Sequence, residues 1–228
     1  MGRMRISQET LKLIACITML MDHIGAVIWP ELRLRMIGRL AFPIFCFLLA
    51  EGVHFTQNPR KYGLRLLIGV LLSEIPFDLL FYRRLTWGHQ SVMVTLFLGF
   101  LYGTIQKNVR NLGHKILWVL PFLFLAELLN VDYGGWGVAM IGFFVLTREM
   151  PGKPVPQVIG LLLICLMIGG MRILVGSVWV PIQVFGVFAL IPIWCYSGEK
   201  KTKNPWVQRA FYLFYPVHLL VLLVIGRL

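Results

Sequence analysis

The chain has 228 residues, of which 58% are hydrophobic and only 14% charged, against roughly 25% charged in soluble domains. With a mean hydropathy of +0.76, this composition excludes an ordinary soluble globular fold. The formal net charge of +12 would suggest nucleic acid in a soluble chain, but here the basic residues stand between apolar runs, so membrane topology accounts for them and no nucleic-acid partner is expected.

The chain opens on Met1-Gly2-Arg3-Met4-Arg5, a basic start before an apolar run over 11–29. Asp22 and His23 interrupt that run and no small-residue cleavage site follows, so an uncleaved first helix is expected rather than a signal peptide. Further apolar runs follow at 36–53, 63–82, 90–105, 114–130, 134–147, 156–174, 178–197 and 206–226. The run 134–147 is short and glycine-rich, consistent with a tilted or half-length helix. Nine helices of about 20 residues use some 180 positions, which leaves room only for short connections. The expectation is an all-α polytopic transmembrane bundle of about nine spans, a single membrane domain over 1–228 whose immediate partner is the lipid bilayer.

Alternate sides of such a bundle carry unequal positive charge. Fifteen of the 22 basic residues fall on the side of Arg3, Arg60, Lys107 and Lys201. Seven fall on the side of Arg33, Arg83 and Arg172. The excess marks the cytoplasmic side, which places the N-terminus inside. Dropping the run at 134–147 would put Lys200, Lys201 and Lys203 outside, so the charge bias favours nine spans over eight. The cysteines, Cys16, Cys46, Cys165 and Cys195, lie inside apolar segments with no CxxC pair and read as free apolar thiols. There is no P-loop, dinucleotide fingerprint or HExxH pattern, and no metal is expected.

The informative residues are the polar ones inside the runs. An ionisable side chain at mid-membrane costs roughly 2.5–3.5 kcal/mol, and the spans contain Asp22, Glu51, Glu74, Asp78 and Glu127 together with His23, Arg39 and His218. Such groups must pair with one another or line a wet cavity. Placed by depth, most converge on the outer half. Glu74 and Asp78 are four apart and share a helix face, with Pro76 between them expected to kink the helix. Phe211, Tyr215 and His218 form one stripe beside Pro216.

Leu11-Lys12-Leu13-Ile14-Ala15 with Met21-Asp22-His23-Ile24-Gly25, and Ile37-Gly38-Arg39-Leu40-Ala41-Phe42-Pro43-Ile44-Phe45 with Glu51-Gly52, resemble the opening of TraX-family proteins. The stretch from Phe211 through Tyr215-Pro216-Val217-His218 to Leu220 is similar to that family's last helix. The resemblance covers essentially the whole chain. It implies a protein of the bacterial cytoplasmic (inner) membrane, associated with conjugal transfer and the N-terminal acetylation of pilin. It also implies a distant likeness to membrane acyltransferases that use acetyl-CoA, which place an essential histidine in an early span. By resemblance that role falls on His23, with Asp22 beside it, and acetyl-CoA is the donor.

Each position then has two readings. His23 is either a general base toward an amine or hydroxyl acceptor or a helix-joining partner of a carboxylate. Asp22 assists it or pairs with Arg39. Arg39 steadies an oxyanion or forms a structural ion pair. Glu74 and Asp78 line the acceptor entrance or neutralise nearby arginines, and Glu127 has the same two roles open. Tyr215 and His218 complete the cavity or pack. On the inner rim, Arg60, Lys61, Lys107 and Arg110 attract the phosphates of coenzyme A or only set topology. The leading expectation is an acetyl-CoA-dependent transmembrane acyltransferase serving an outer-side peptide, glycan or small amine. A proton- or ion-coupled transporter and a non-catalytic assembly factor are the rivals.

Overall fold

The computed structural model describes residues 5–109, 111–148, 154–199 and 204–226. Helix α1 (Gln8–His23) starts where Ser7 Oγ accepts the Thr10 amide (3.3 Å), satisfying one of the free N–H groups of a first turn. It runs into a π-helical turn, Ile24–Ile28. After Trp29 and Pro30 the chain reverses, and α2 (Leu32–Gly38) folds back along α1. Two glycines permit this reversal: a Cβ on Gly25 would stand 2.7 Å from Leu34 Cβ, and one on Gly38 would collide with Asp22. Helix α3 (Ala41–Phe55) continues from α2 after a break at Arg39–Leu40.

Helix α4 (Pro59–Phe81) is capped by Asn58, whose Oδ1 accepts the Lys61 amide (3.0 Å). It stays helical through Pro76, so the expected kink does not divide it. Helices α5 (Val92–Gln106), α6 (Leu112–Leu117), α7 (Val119–Leu128), α8 (Gly134–Thr147) and α9 (Pro154–Met167) follow. The expected single helix over 114–130 is thus divided at Trp118.

A larger departure comes next. Strands β1 (Arg172–Val175) and β2 (Val178–Pro181) pair antiparallel around a two-residue turn, so the fold is not purely α-helical. Gly170 (φ +105°) ends the preceding segment, Gly176 (φ +61°) supplies the turn, and the flanking residues are mostly β-branched or aromatic, which together specify a hairpin. The expected helix over 178–197 is therefore a strand, a 3₁₀ segment (Ile182–Ala189) and a short α10 (Leu190–Trp194). Helix α11 (Pro205–Ile225) closes the chain and lies along α4.

The core runs through α1, α3, α8, α9 and α11, where Leu11, Ile44, Met140, Ile141, Leu161 and Leu219 are fully buried. Large apolar side chains also face outward, among them Leu71, Phe124, Leu163, Ile191 and Val224. A helix apolar on its inner and outer faces suits lipid rather than water. Among the described residues, three helices are long and apolar enough to cross a membrane by length and composition: Gln8–Ile28, Leu32–Phe55 and Trp206–Ile225. Val92–Gln106, Gly134–Thr147, Pro154–Met167 and Ile182–Trp194 are apolar but shorter. Helix α4 is as long as the first three but carries Arg60, Lys61, Arg65, Glu74 and Asp78. The architecture is a mostly helical membrane bundle with three candidate spanning helices among the described residues.

Candidate functional site

The end of the bundle that carries the hairpin gathers the C-terminal ends of α1, α4 and α7 and the N-terminal ends of α2, α5 and α8. Here His23, in the last turn of α1, meets His218 of α11: Nδ1 and Nε2 are 2.7 Å apart, with ring planes within 5° of parallel. The other ring nitrogen of His218, Nδ1, lies 2.8 Å from the Phe214 carbonyl. A carbonyl can only accept, so His218 Nδ1 carries a proton. In the neutral ring its Nε2 is then an acceptor, which assigns the proton of the next bond to His23 Nδ1. His23 Nε2 keeps its lone pair, and among the described residues no protein group hydrogen-bonds it. One backbone carbonyl thereby sets both tautomers. Phe81 and Tyr215 stand edge-on to the His23 ring at 5.5 and 6.3 Å between centroids, and Tyr215 is buried.

The residue before His23 points elsewhere. Asp22 is clamped between two arginines of the returning segment: Arg35 Nη1 donates to Oδ2 (2.8 Å) and Arg39 Nη2 donates to Oδ1. Arg35 Nη1 also reaches the Asp22 carbonyl (3.2 Å). Arg39 is engaged on every nitrogen, with Nε on the Arg35 carbonyl (3.2 Å) and Nη1 on Gln183 Oε1 (3.4 Å). Burying an ion pair is favourable only when each partner has further hydrogen bonds, and Arg39 has them.

Three further carboxylates cap loops and helix starts at this end, while Glu51 pairs with Arg148 (2.5 Å) at the other. Glu74 accepts the Ser91 amide (3.2 Å to Oε1) and hydroxyl (2.7 Å) at the N-terminus of α5. Asp78 Oδ2 accepts the Thr86 amide (2.8 Å), while its Oδ1 is buried without a partner. Glu127 Oε1 accepts the Gly135 amide (2.7 Å) in the first turn of α8. Negative groups at helix N-termini also meet the positive end of the helix dipole. Next to them, His89 in the loop 82–91 faces Asp132 at 3.9 Å.

At the opposite end, Arg60 and Lys61 are exposed in the first turn of α4, and Lys107 Nζ donates to the Thr56 carbonyl (3.2 Å). These three share one rim. Arg110 lies outside the described residues. Gln106, beside Lys107, is 3% exposed with both amide atoms unpartnered. The structure therefore brings His23, Tyr215 and His218 together, and sets Asp22 with Arg39 beside them. Glu74, Asp78 and Glu127 stand as caps at the same end. Sequence reasoning missed Arg35 and Gln183. Arg35, four residues before Arg39, carried the helical spacing that could have revealed it.

These features define a helical membrane protein whose buried ionisable groups concentrate at one end. A family-wide match to TraX protein covers residues 7–226, and the chain belongs to that family. It is 29% identical over 230 residues to a probable fimbrial assembly protein FimC, serogroup H1, of Dichelobacter nodosus, covering 93% of this chain and 92% of that protein. It is 32% identical over 149 residues to an uncharacterized protein of Rickettsia prowazekii (strain Madrid E), covering 62% of this chain and 56% of that protein. No solved structure matches significantly.

Proposed function

We propose that this TraX protein is a multi-pass protein of the bacterial inner membrane, with about nine spans and a cytoplasmic N-terminus, that transfers acetyl from cytoplasmic acetyl-CoA to an amine or hydroxyl on the outer side. The observation that carries the reading is the histidine pair: His23 Nε2 has a free lone pair, and the proton on its Nδ1 is anchored through His218 to a backbone carbonyl. An imidazole held in one tautomer by a partner on its far nitrogen is the arrangement a general base needs.

In this reading His23 Nε2 takes the proton of the acceptor as its nitrogen or oxygen attacks. The positive charge so formed on His23 is shared with His218, whose Nδ1–H rests on the Phe214 carbonyl. His23 then returns the proton to the departing thiolate, leaving free coenzyme A, acetylated acceptor and a neutral histidine. The donor supplies the acyl carbonyl and the thiol leaving group. Arg60, Lys61 and Lys107 suit its phosphates, and buried, unpartnered Gln106 suits the amides of its arm. Arg35 and Arg39 give the site a positive field that favours charge developing on the acyl oxygen.

The test is purified protein in liposomes, with labelled acetyl-CoA on the basic side and a mixture of outer-side peptides, glycans and amines on the other. His23→Ala should lower label transfer by about 10²–10⁴-fold, the range for loss of a general base. Equal transfer by wild type and variant would overturn the mechanism. The name of the Dichelobacter relative favours a second reading, a non-catalytic membrane factor in pilus assembly. Pilus assembly that survives His23→Ala but is lost with the whole protein would select it.

A further inference from the structure

Arg35 is half used. Among the described residues, both of its side-chain hydrogen bonds run through one nitrogen, Nη1, to the Asp22 carboxylate and carbonyl. The other flat edge of the guanidinium, Nε with Nη2, has no acceptor among the described residues, and Nε is buried. That edge is the side-on fork that takes two oxygens of one carboxylate or phosphate at once. The side chain as a whole is 19% exposed, although Nε itself is buried.

The surroundings point the same way. Two guanidinium groups face one carboxylate, leaving an excess positive charge in a largely buried place, which is costly unless an anion completes it. The next carboxylate in electrostatic reach, Asp132, faces His89 and accepts the Tyr133 amide (3.1 Å). Gln183 is 2% exposed and gives its Oε1 to Arg39. Since an arginine can only donate, this orientation is fixed, and the amide nitrogen, a double donor, is buried without an acceptor. Asp22 holds the Arg35 guanidinium and Arg39 Nε holds its carbonyl, and Asp22 is one residue along the chain from His23.

We propose that Arg35 is the anchor of an anion-binding site at this end of the bundle, taking a phosphate group on its Nε–Nη2 edge. The phosphate belongs either to a lipid headgroup or to a soluble molecule. The site exists whether or not acetyl is transferred. If the acyl-transfer reading holds, the site makes the acceptor a phosphate-bearing molecule held beside His23.

The experiment needs no donor, so its outcome is separate from that of the acyl-transfer test. Full-length protein is placed in phosphatidylcholine nanodiscs and its thermal unfolding followed as inorganic phosphate replaces chloride at constant ionic strength. Wild type should show a saturable rise in midpoint. Arg35→Lys keeps the charge on Asp22 but loses the fork, and should weaken phosphate by at least about tenfold. Gln183→Glu keeps the acceptor for Arg39 and supplies the negative charge from the protein itself; it should be more stable without phosphate and respond to it about tenfold more weakly. A rise in midpoint from phosphatidylglycerol in the discs, with no further rise from free phosphate, assigns the site to lipid. The converse assigns it to a soluble ligand. If wild type responds to neither, or both variants respond as wild type does, the proposal fails.

Discussion

The two ends of this bundle hold charge in different ways. At the hairpin end, buried acids are met by rigid donors: Asp22 by two arginines, Glu74 by the amide and hydroxyl of Ser91, Asp78 by the amide of Thr86. At the lysine-rich end, cations lie on aromatic faces. Arg65 sits over Tyr62 and Tyr212 (5.5 and 5.7 Å), Lys12 over Phe211 (5.3 Å), and Arg148 over Phe55 (4.9 Å) while it bonds Glu51 (2.5 Å). Contacts to π-faces tolerate sliding, and exposed cations adapt to a mobile anion. Backbone amides and paired guanidiniums do not slide. Chemistry that depends on atoms held to a fraction of an ångström therefore belongs at the first end. In the proposed acyl transfer, loose electrostatic capture of a phosphorylated donor would belong at the second.

The sharpest way to break this contrast is to remove Asp22. Asp22→Ala leaves Arg35 and Arg39 facing each other with side chains only 19% and 11% exposed, and should lower stability by about 3–5 kcal/mol, read as thermal or denaturant unfolding in detergent. The matching change at the other end is Glu51→Ala. It frees Arg148, which is 27% exposed and keeps its place over Phe55, so the loss should be nearer about 1 kcal/mol. Equal losses would mean that both ends are equally rigid, and the division of labour argued above would fall.

The same contrast explains what could be read from the chain itself. Asp22, His23, Arg39, Tyr215 and His218 were legible because an ionisable or polar residue in an apolar run is costly and demands a partner. Depth placed the ionisable ones in one half of the bundle, and helical spacing put Tyr215 on one stripe with His218. Arg35 was legible only through its four-residue spacing from Arg39, because Arg33 and Arg35 after Pro30 otherwise read as ordinary flanking charges until Gly25 and Gly38 let α2 lie against α1. Ser91 and Thr86 were hidden for another reason: they act through backbone amides, which composition does not register. Gln183 is neutral and sits among apolar residues. The hairpin had a visible signal in Gly176-Ser177 between β-branched residues, but the hydropathy of 178–197 outweighed it. The TraX likeness read from the two ends of the chain extends across residues 7–226.

The smallest expected effect lies in the loops over the hairpin end. Asp132, 3.9 Å away, raises the pKa of His89 above the ordinary histidine value, with Asn130 and Glu74 adding to it and burial opposing. A group whose pKa is higher folded than unfolded contributes stability that is fully present below the unfolded value, about 6.5, and is lost as pH rises through the raised one. The contact ties the loop 82–91 to the α7–α8 connection, where the Gln90 amide donates to the Asn130 carbonyl (3.1 Å) and the Asp132 amide to the Gln90 carbonyl (2.9 Å). Both residues of the ion pair are partly exposed, so its worth is about 0.5 kcal/mol. Hydrogen exchange at the Gln90 and Asp132 amides, corrected for intrinsic rate, should therefore be slower at pH 5.5 than at pH 8, and His89→Gln should abolish the difference. The Asp22 clamp works through arginines, which keep their protons over that range, so the clamp should hold while the loops above it loosen. If exchange in α1 and α2 near Asp22 rises together with the loops, the hairpin end is one cooperative unit rather than a fixed floor under a pH-sensitive cover.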